Sequence, residues 1–127
     1  MSIRRILFVE DDADVREAFV DFLESLGHTV VAVDDGATAL EEIARQRPDV
    51  ILLDLIMPKA RVDGVTLLSR LGNGAKIPIV ILSALGDAVA DWVSPDLRAG
   101  LSIAAILNKP CSFDMLADTI ERLGEPA

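Results

Sequence analysis

Cysteine, histidine and positive charge are all scarce in this chain. Its 127 residues include one Cys, one His, one Trp and no Tyr. A lone Cys111 excludes an internal disulfide and agrees with a reducing compartment. It reads as a packed or semi-exposed small residue. A lone His28 excludes a histidine-pair metal site or acid–base pair. Placed after Gly27 at a helix–strand joint, it reads as a surface histidine. No apolar run approaches the ~20 residues that span a bilayer. The opening MSIRRILFVEDD turns acidic too soon for a signal peptide, so a cytoplasmic location is expected. Lys and Arg number 12 against 21 Asp and Glu, a net charge of −9. That charge repels nucleic acid phosphates and anionic lipid, so no direct nucleic acid or membrane partner is expected. Acidic excess also aids solubility and names no partner.

What is present is a good core. Hydrophobic residues make up 51% of the chain, enough to fold. There are no repeats, low-complexity tracts or long linkers. One domain over residues 1–127 is expected, with residues 124–127 fraying.

Hydrophobic periodicity alternates between two kinds. IRRILFV reads as a strand. From Ala13, the residues Val15, Phe19, Phe22 and Leu26 recur at helical spacing, with Ala18 and Leu23 widening the stripe. Asp12 can cap this helix and Gly27 can end it. TVVAV is a second strand. A second helix carries Ala37, Leu40, Ile43, Ala44 and Arg47 and closes at Pro48, with Glu41 and Arg45 paired across one turn. DVILLD is apolar at consecutive positions, so both faces of this third strand should be covered. A loop from Leu55 to Asp63 leads to a short helix near GVTLLSRL. IPIVILS is the fourth strand, with Pro78 at its tolerant start. A less regular helical region spans roughly Asp87 to Ala99, and Trp92 there either anchors the helix or touches a partner. IAAILN is the fifth strand. Ser112 caps a last helix with Phe113, Leu116, Ile120 and Leu123 inward and Gly124 after it.

Five strands alternating with helices imply an α/β fold: a doubly wound, five-stranded parallel sheet with five helices. Such sheets bind ligands at the carboxyl ends of their strands. There the chain places Glu10-Asp11-Asp12, Asp54, Ser83-Ala84 and Asn108-Lys109-Pro110. Crowded carboxylates repel, and one takes up a proton unless a cation intervenes. A hard divalent ion such as Mg²⁺ accepts carboxylate oxygens, keeps waters and welcomes a phosphoryl oxygen. Held by Glu10 and Asp11, it would leave Asp54 ionised and able to form an aspartyl phosphate. Lys109 and the Ser83 hydroxyl would hold the other phosphoryl oxygens. Each residue also has a plainer reading. Asp54 alone is a turn aspartate, Asp11 and Asp12 are helix caps, Lys109 is a solvated lysine and Ser83 is a small filler.

The acidic pair of LFVEDD, the aspartate of LLDLIMP, the hydroxyl of ILSA and the lysine-proline of NKP occur in this order over nearly the whole chain. In this the sequence resembles the receiver domain of two-component response regulators, of the chemotaxis-regulator kind. The resemblance implies a flavodoxin-like sheet of order 2-1-3-4-5. It implies Asp54 as phosphoacceptor, with a metal (Mg²⁺, or Mn²⁺ in its place) on Glu10, Asp11, Asp54 and the backbone carbonyl of Ile56. It makes Ser83 the switch hydroxyl, Ala84 its small neighbour, Lys109 the phosphate-contacting lysine and Lys109–Pro110 a cis peptide. The implied partners are a sensor histidine kinase or a histidine phosphotransfer protein, and a downstream protein effector or fused domain.

Three features depart from the family. The loop MPKARVDG is longer by two residues, which puts Lys59 and Arg61 beside the acceptor. The stretch from Ser83 to Lys109 is also long and includes Pro95, which should break or restart the helix there. Ile106 stands where the family carries the switch aromatic, so a muted or rerouted switch is expected. Ile56 and Leu85, two positions after the acceptor and the hydroxyl, are apolar and cannot orient an attacking water. Slow self-dephosphorylation is therefore expected. The chain is expected not to be an enzyme in its own right. One rival is a pseudo-receiver, a protein-binding module that is not phosphorylated; the missing aromatic favours it. The other is a hydrolase with an aspartyl-phosphate intermediate, whose D-x-D-x-[TV] pattern lacks its second aspartate at Ile56.

Overall fold

The computed structural model describes residues 3–58, 60–71, 76–85, 88–89, 93–95 and 100–123. In chain order the elements are β1 (Arg5–Val9), α1 (Ala13–Ser25), β2 (Thr29–Val33), α2 (Gly36–Arg45), β3 (Val50–Asp54), α3 (Gly64–Leu71), β4 (Ile79–Ser83), β5 (Ile103–Asn108) and α4 (Phe113–Glu121). The strands form one sheet in the order β2-β1-β3-β4-β5. Every neighbouring pair is parallel. This is the flavodoxin-like arrangement the resemblance implied.

Side-chain alternation on the central strands divides the interior in two. Leu7, Val9, Ile51, Leu53, Ile79 and Ile81 face one core, closed by Leu40, Ile43, Leu67 and Leu68 from α2 and α3. Ile6, Phe8, Val50, Leu52, Val80 and Leu82 face the other, closed by Phe19, Leu23, Leu116 and Ile120 from α1 and α4. β3 is buried at all five positions because it serves both cores at once. Each such aliphatic side chain contributes about 1.5–3 kcal/mol through burial. Phe22 stacks on Phe113 at 4.4 Å between ring centroids, tying α1 to α4 although Phe113 is partly exposed.

The helix starts follow their capping residues. The Asp12 carboxylate accepts from the Asp14 and Val15 N–H groups, and the Ser112 hydroxyl from the Met115 N–H. Asp35 caps α2 by accepting from Ala37 N–H at 2.8 Å.

Three sequence expectations are corrected. His28 is buried, not a surface histidine. Its Nδ1 accepts from the backbone N–H of Arg4 at 3.1 Å, just ahead of β1. Arg45 pairs with Glu42 at 2.7 Å, not with Glu41. Residues three apart on a helix are neighbours as close as those four apart. Ala18 also lies exposed, outside the apolar stripe. Of the helix expected over 87–99, residues 88–89 and 93–95 are described, Val89 and Val93 among them. Both are buried in the first core, and Val93 N–H donates to Val89 O in a helical turn. Trp92, the residues of 87–99 other than 88–89 and 93–95, Lys59 and residues 124–127 lie outside the described residues.

Candidate functional site

The parallel register aligns the carboxyl ends of β1, β3, β4 and β5. Val9 is level with Leu53, Asp54 with Leu82, and Ser83 with Asn108. Hydrogen bonds continue past the strands. Glu10 N–H donates to Val33 O, Leu55 N–H to Leu82 O, and Lys109 N–H to Ser83 O at 2.9 Å. Arg16 Nη1 holds the Glu10 carbonyl at 2.8 Å from the first turns of α1. The residues bearing the acids and the lysine are therefore placed by sheet backbone.

Glu10, Asp54 and Ser83 are buried, at 1%, 4% and 2% exposure. Glu10, Asp11 and Asp54 each present a carboxylate oxygen, and these oxygens lie within 4.8 Å of one another. Lys109 Nζ is 3.1 Å from Asp54 Oδ1 and 3.4 Å from Glu10 Oε1. Burial pushes the Glu10 carboxyl up to about 8, helped by its hydrogen bond to Asp54 and the Asp54 charge, against the pull of Lys109. Burial opposes the charge on Lys109 as well. The Asp54 and Glu10 carboxylates outweigh it and hold the lysine above its usual value. One ammonium thus faces two buried carboxyls, and burial beside the Asp54 charge biases Glu10 toward its protonated form.

The donor set is hard oxygen only. Two oxygens on one Mg²⁺ lie at most about 4.2 Å apart, so carboxylates grouped this closely reach one ion with small movements. The cluster can hold a divalent metal, and metal binding would displace the Glu10 proton. Ser83 Oγ accepts from Leu85 N–H at 2.9 Å, which leaves its own hydrogen to donate. Ala84 is exposed beside it. The Lys109–Pro110 peptide is cis. Behind Lys109 an apolar cavity of about 410 Å³ is lined by Val15, Phe19, Leu82, Pro110 and Cys111. Burial pushes the Cys111 thiol up, so it stays protonated. Ile106 is half-buried against the first core.

Sequence reasoning did not find Asp35. Besides capping α2, its Oδ2 accepts from the backbone N–H of Arg61 at 2.6 Å, in the loop after Asp54. The only signal was an aspartate-glycine pair ahead of a helix, which marks a cap but not a second contact.

Among curated proteins, the chain is 39% identical over 122 residues to the response regulator MprA of Mycobacterium leprae, covering 94% of this chain and 50% of that protein. It is 42% identical over 84 residues to the transcriptional regulatory protein CseB of Streptomyces coelicolor, covering 66% of this chain and 35% of that one. The chain thus spans half or less of the length of these relatives. Among solved structures, the receiver domain of NtrX from Brucella abortus matches with a TM-score of 0.77 and 28% identity, over 92% of this chain and 95% of that one. The model of the response regulator receiver domain matches residues 6–121, and the chain belongs to that family.

Proposed function

We propose that Asp54 is the phosphoacceptor of this receiver domain. The donor is a phosphohistidine on a sensor histidine kinase or a histidine phosphotransfer protein. One observation carries the reading: Lys109 Nζ meets Asp54 Oδ1 at 3.1 Å within a buried acid cluster at the strand ends.

In the transfer, an Asp54 oxygen attacks phosphorus. The new O–P bond forms as the donor's N–P bond breaks, and the electron pair returns to the imidazole nitrogen, which is protonated from solvent. Glu10, Asp11, Asp54 and the Ile56 carbonyl would hold Mg²⁺ (or Mn²⁺), which would supply positive charge to the phosphoryl oxygens. Lys109 offsets the charge of a second phosphoryl oxygen. The Ser83 hydroxyl donates to a third, and exposed Ala84 leaves the approach open. Positioning and charge neutralisation supply the rate enhancement. The chain promotes its own phosphotransfer and slow dephosphorylation, with no turnover of outside substrates.

Phosphorylation adds roughly −1.5 to −2 charges and three acceptor oxygens. That change biases a surface that contacts a downstream protein or a fused domain. Ile106, packed where the family carries an aromatic, mutes or reroutes the switch along β5. Among the described residues no helix is long and apolar enough to cross a membrane. The proposed setting is cytoplasmic, with residues 1–127 acting as one receiver unit.

Incubation with acetyl phosphate and Mg²⁺, followed by intact mass, tests this. A stable single phosphoryl addition, absent in Asp54→Asn, supports the receiver. No addition supports the non-phosphorylated binding module. Steady turnover of unrelated phosphoesters supports a hydrolase.

A further inference from the structure

The loop from Leu55 to Asp63 joins the proposed acceptor to α3, and several of its described residues are anchored. Met57 and Val62 bury their side chains. Asp63 Oδ1 accepts from Thr66 N–H at 2.8 Å and so caps α3. The loop also meets the start of α2. Gly36 N–H donates to Val62 O at 2.8 Å, and Asp35 Oδ2 accepts from Arg61 N–H at 2.6 Å. The other oxygen, Oδ1, is already committed to Ala37 N–H. One carboxylate therefore serves both its own helix and a loop residue 26 positions further along the chain.

The backbone is shaped for this contact. A Cβ on Gly36 would sit 2.7 Å from Val62 Cγ1 and 2.8 Å from Val62 O. Two residues after Val62, a Cβ on Gly64 would sit 2.6 Å from Leu55 O and 2.7 Å from Asp54 O. Both glycines, the first residues of α2 and α3, press against the loop with no room for a side chain. Burial alone would push Asp35 up. The N–H groups of Ala37, Arg61 and Val62, together with the Arg61 charge, hold it below the usual carboxylate range, so it is ionised at neutral pH. An ionised acceptor makes the stronger kind of hydrogen bond.

We infer that Asp35 is a positioning residue for the phosphorylation site: its carboxylate clamps the loop that follows Asp54, and so sets the loop that carries the Ile56 carbonyl. The inference rests on the reading of Asp54 as acceptor and Ile56 as a metal ligand. It gives the clamp a role in metal binding and phosphotransfer, beyond stability alone. Asp35 itself touches neither metal nor phosphate.

Asp35→Asn separates clamp from cap. Asn caps a helix as well as Asp, but with its carbonyl oxygen on Ala37 N–H its amide nitrogen takes the place of Oδ2 and cannot accept from Arg61 N–H. Asp35→Ala removes both contacts. The readouts are Mg²⁺ titration by calorimetry, amide exchange at Arg61 and Val62, thermal stability, and phosphorylation rate by intact mass with acetyl phosphate. For Asp35→Asn, exchange at Arg61 should quicken by roughly tenfold, as expected for losing a charged acceptor. The Mg²⁺ dissociation constant should rise and the phosphorylation rate fall, each by roughly three- to tenfold, an indirect loss smaller than that of a direct ligand. Asp35→Ala should do the same with a lower melting temperature. Unchanged Mg²⁺ affinity in Asp35→Asn overturns the inference, whether or not exchange quickens. Protection lost evenly across the chain also overturns it, because Asp35 would then serve stability alone. If the wild type binds Mg²⁺ but gains no phosphate, the acceptor reading fails, while calorimetry and exchange still judge the clamp.

Discussion

Lys109 reaches the buried carboxylate of Asp54 at 3.1 Å from the end of β5, two strands away. Its ammonium is also the cation 3.4 Å from Glu10. Lys109→Met should leave two adjacent buried carboxyls without it. The lysine side chain is 32% exposed, so solvent softens the loss. The metal-free fold should weaken by about 1–2 kcal/mol, less than a fully buried broken pair. Phosphorylation should slow by roughly tenfold or more, as for loss of one charge-stabilising group. Urea unfolding and a mass time course check these two effects.

Glu10 behaves oppositely. Its folded-state pKa of about 8 lies above the ordinary value of 4.5. Between those values the unfolded chain releases a proton that the fold keeps, so metal-free stability falls as pH rises through this window. Glu10→Gln removes the penalty. It should stabilise the metal-free protein by about 1–3 kcal/mol at pH 8 while weakening Mg²⁺ binding. Urea melts at pH 5 and pH 8, paired with Mg²⁺ calorimetry, measure both.

His28 sets an acid limit. Burial lowers its pKa, Arg4 lowers it further, and Glu121 opposes them. The Nδ1 that accepts from Arg4 N–H must lose that role on protonation. The folded pKa is below the unfolded one, so the contribution is intact above about 6.5 and is lost as pH falls below it. His28→Asn supplies an acceptor without a proton equilibrium. Its stability at pH 7.5 should lie within about 1 kcal/mol of wild type. Its fall between pH 7 and 5.5 should be shallower, as followed by thermal melts.

The aspartyl phosphate should be long-lived. Ile56 is 37% exposed with no polar side-chain atom to hold a water. Leu85 is packed against the first core. Phosphate loss from the purified, Mg²⁺-bound phosphoprotein should take many minutes to hours. Ile56→Asn, which adds a polar group two positions after the acceptor, should shorten it several-fold. A wild-type half-life of seconds is incompatible with this placement.

The sheet was legible because each strand states its environment locally. β3 is apolar at consecutive positions, and Ile51 and Leu53 feed one core while Val50 and Leu52 feed the other. That Glu10, Asp54, Ser83 and Lys109 come together was legible because each lies at the end of such a strand. What stayed hidden depends on partners far apart in sequence. His28 is buried because Arg4 N–H, 24 positions earlier, needs an acceptor. Asp35 holds Arg61 because α2 and the acceptor loop happen to pack together. Neither pairing leaves a periodic trace. The choice of Glu42 over Glu41 by Arg45 is likewise decided by side-chain placement that spacing alone leaves open.

The central claim is that Asp54 carries the phosphoryl group. Borohydride reduces an aspartyl phosphate to homoserine. Treating the phosphorylated protein in this way and sequencing the peptide containing Val50 to Pro58 tests the claim most directly. Homoserine at position 54, dependent on phosphodonor and Mg²⁺, is the expected result. Homoserine at another aspartate, or none after a confirmed phosphoryl addition, contradicts it.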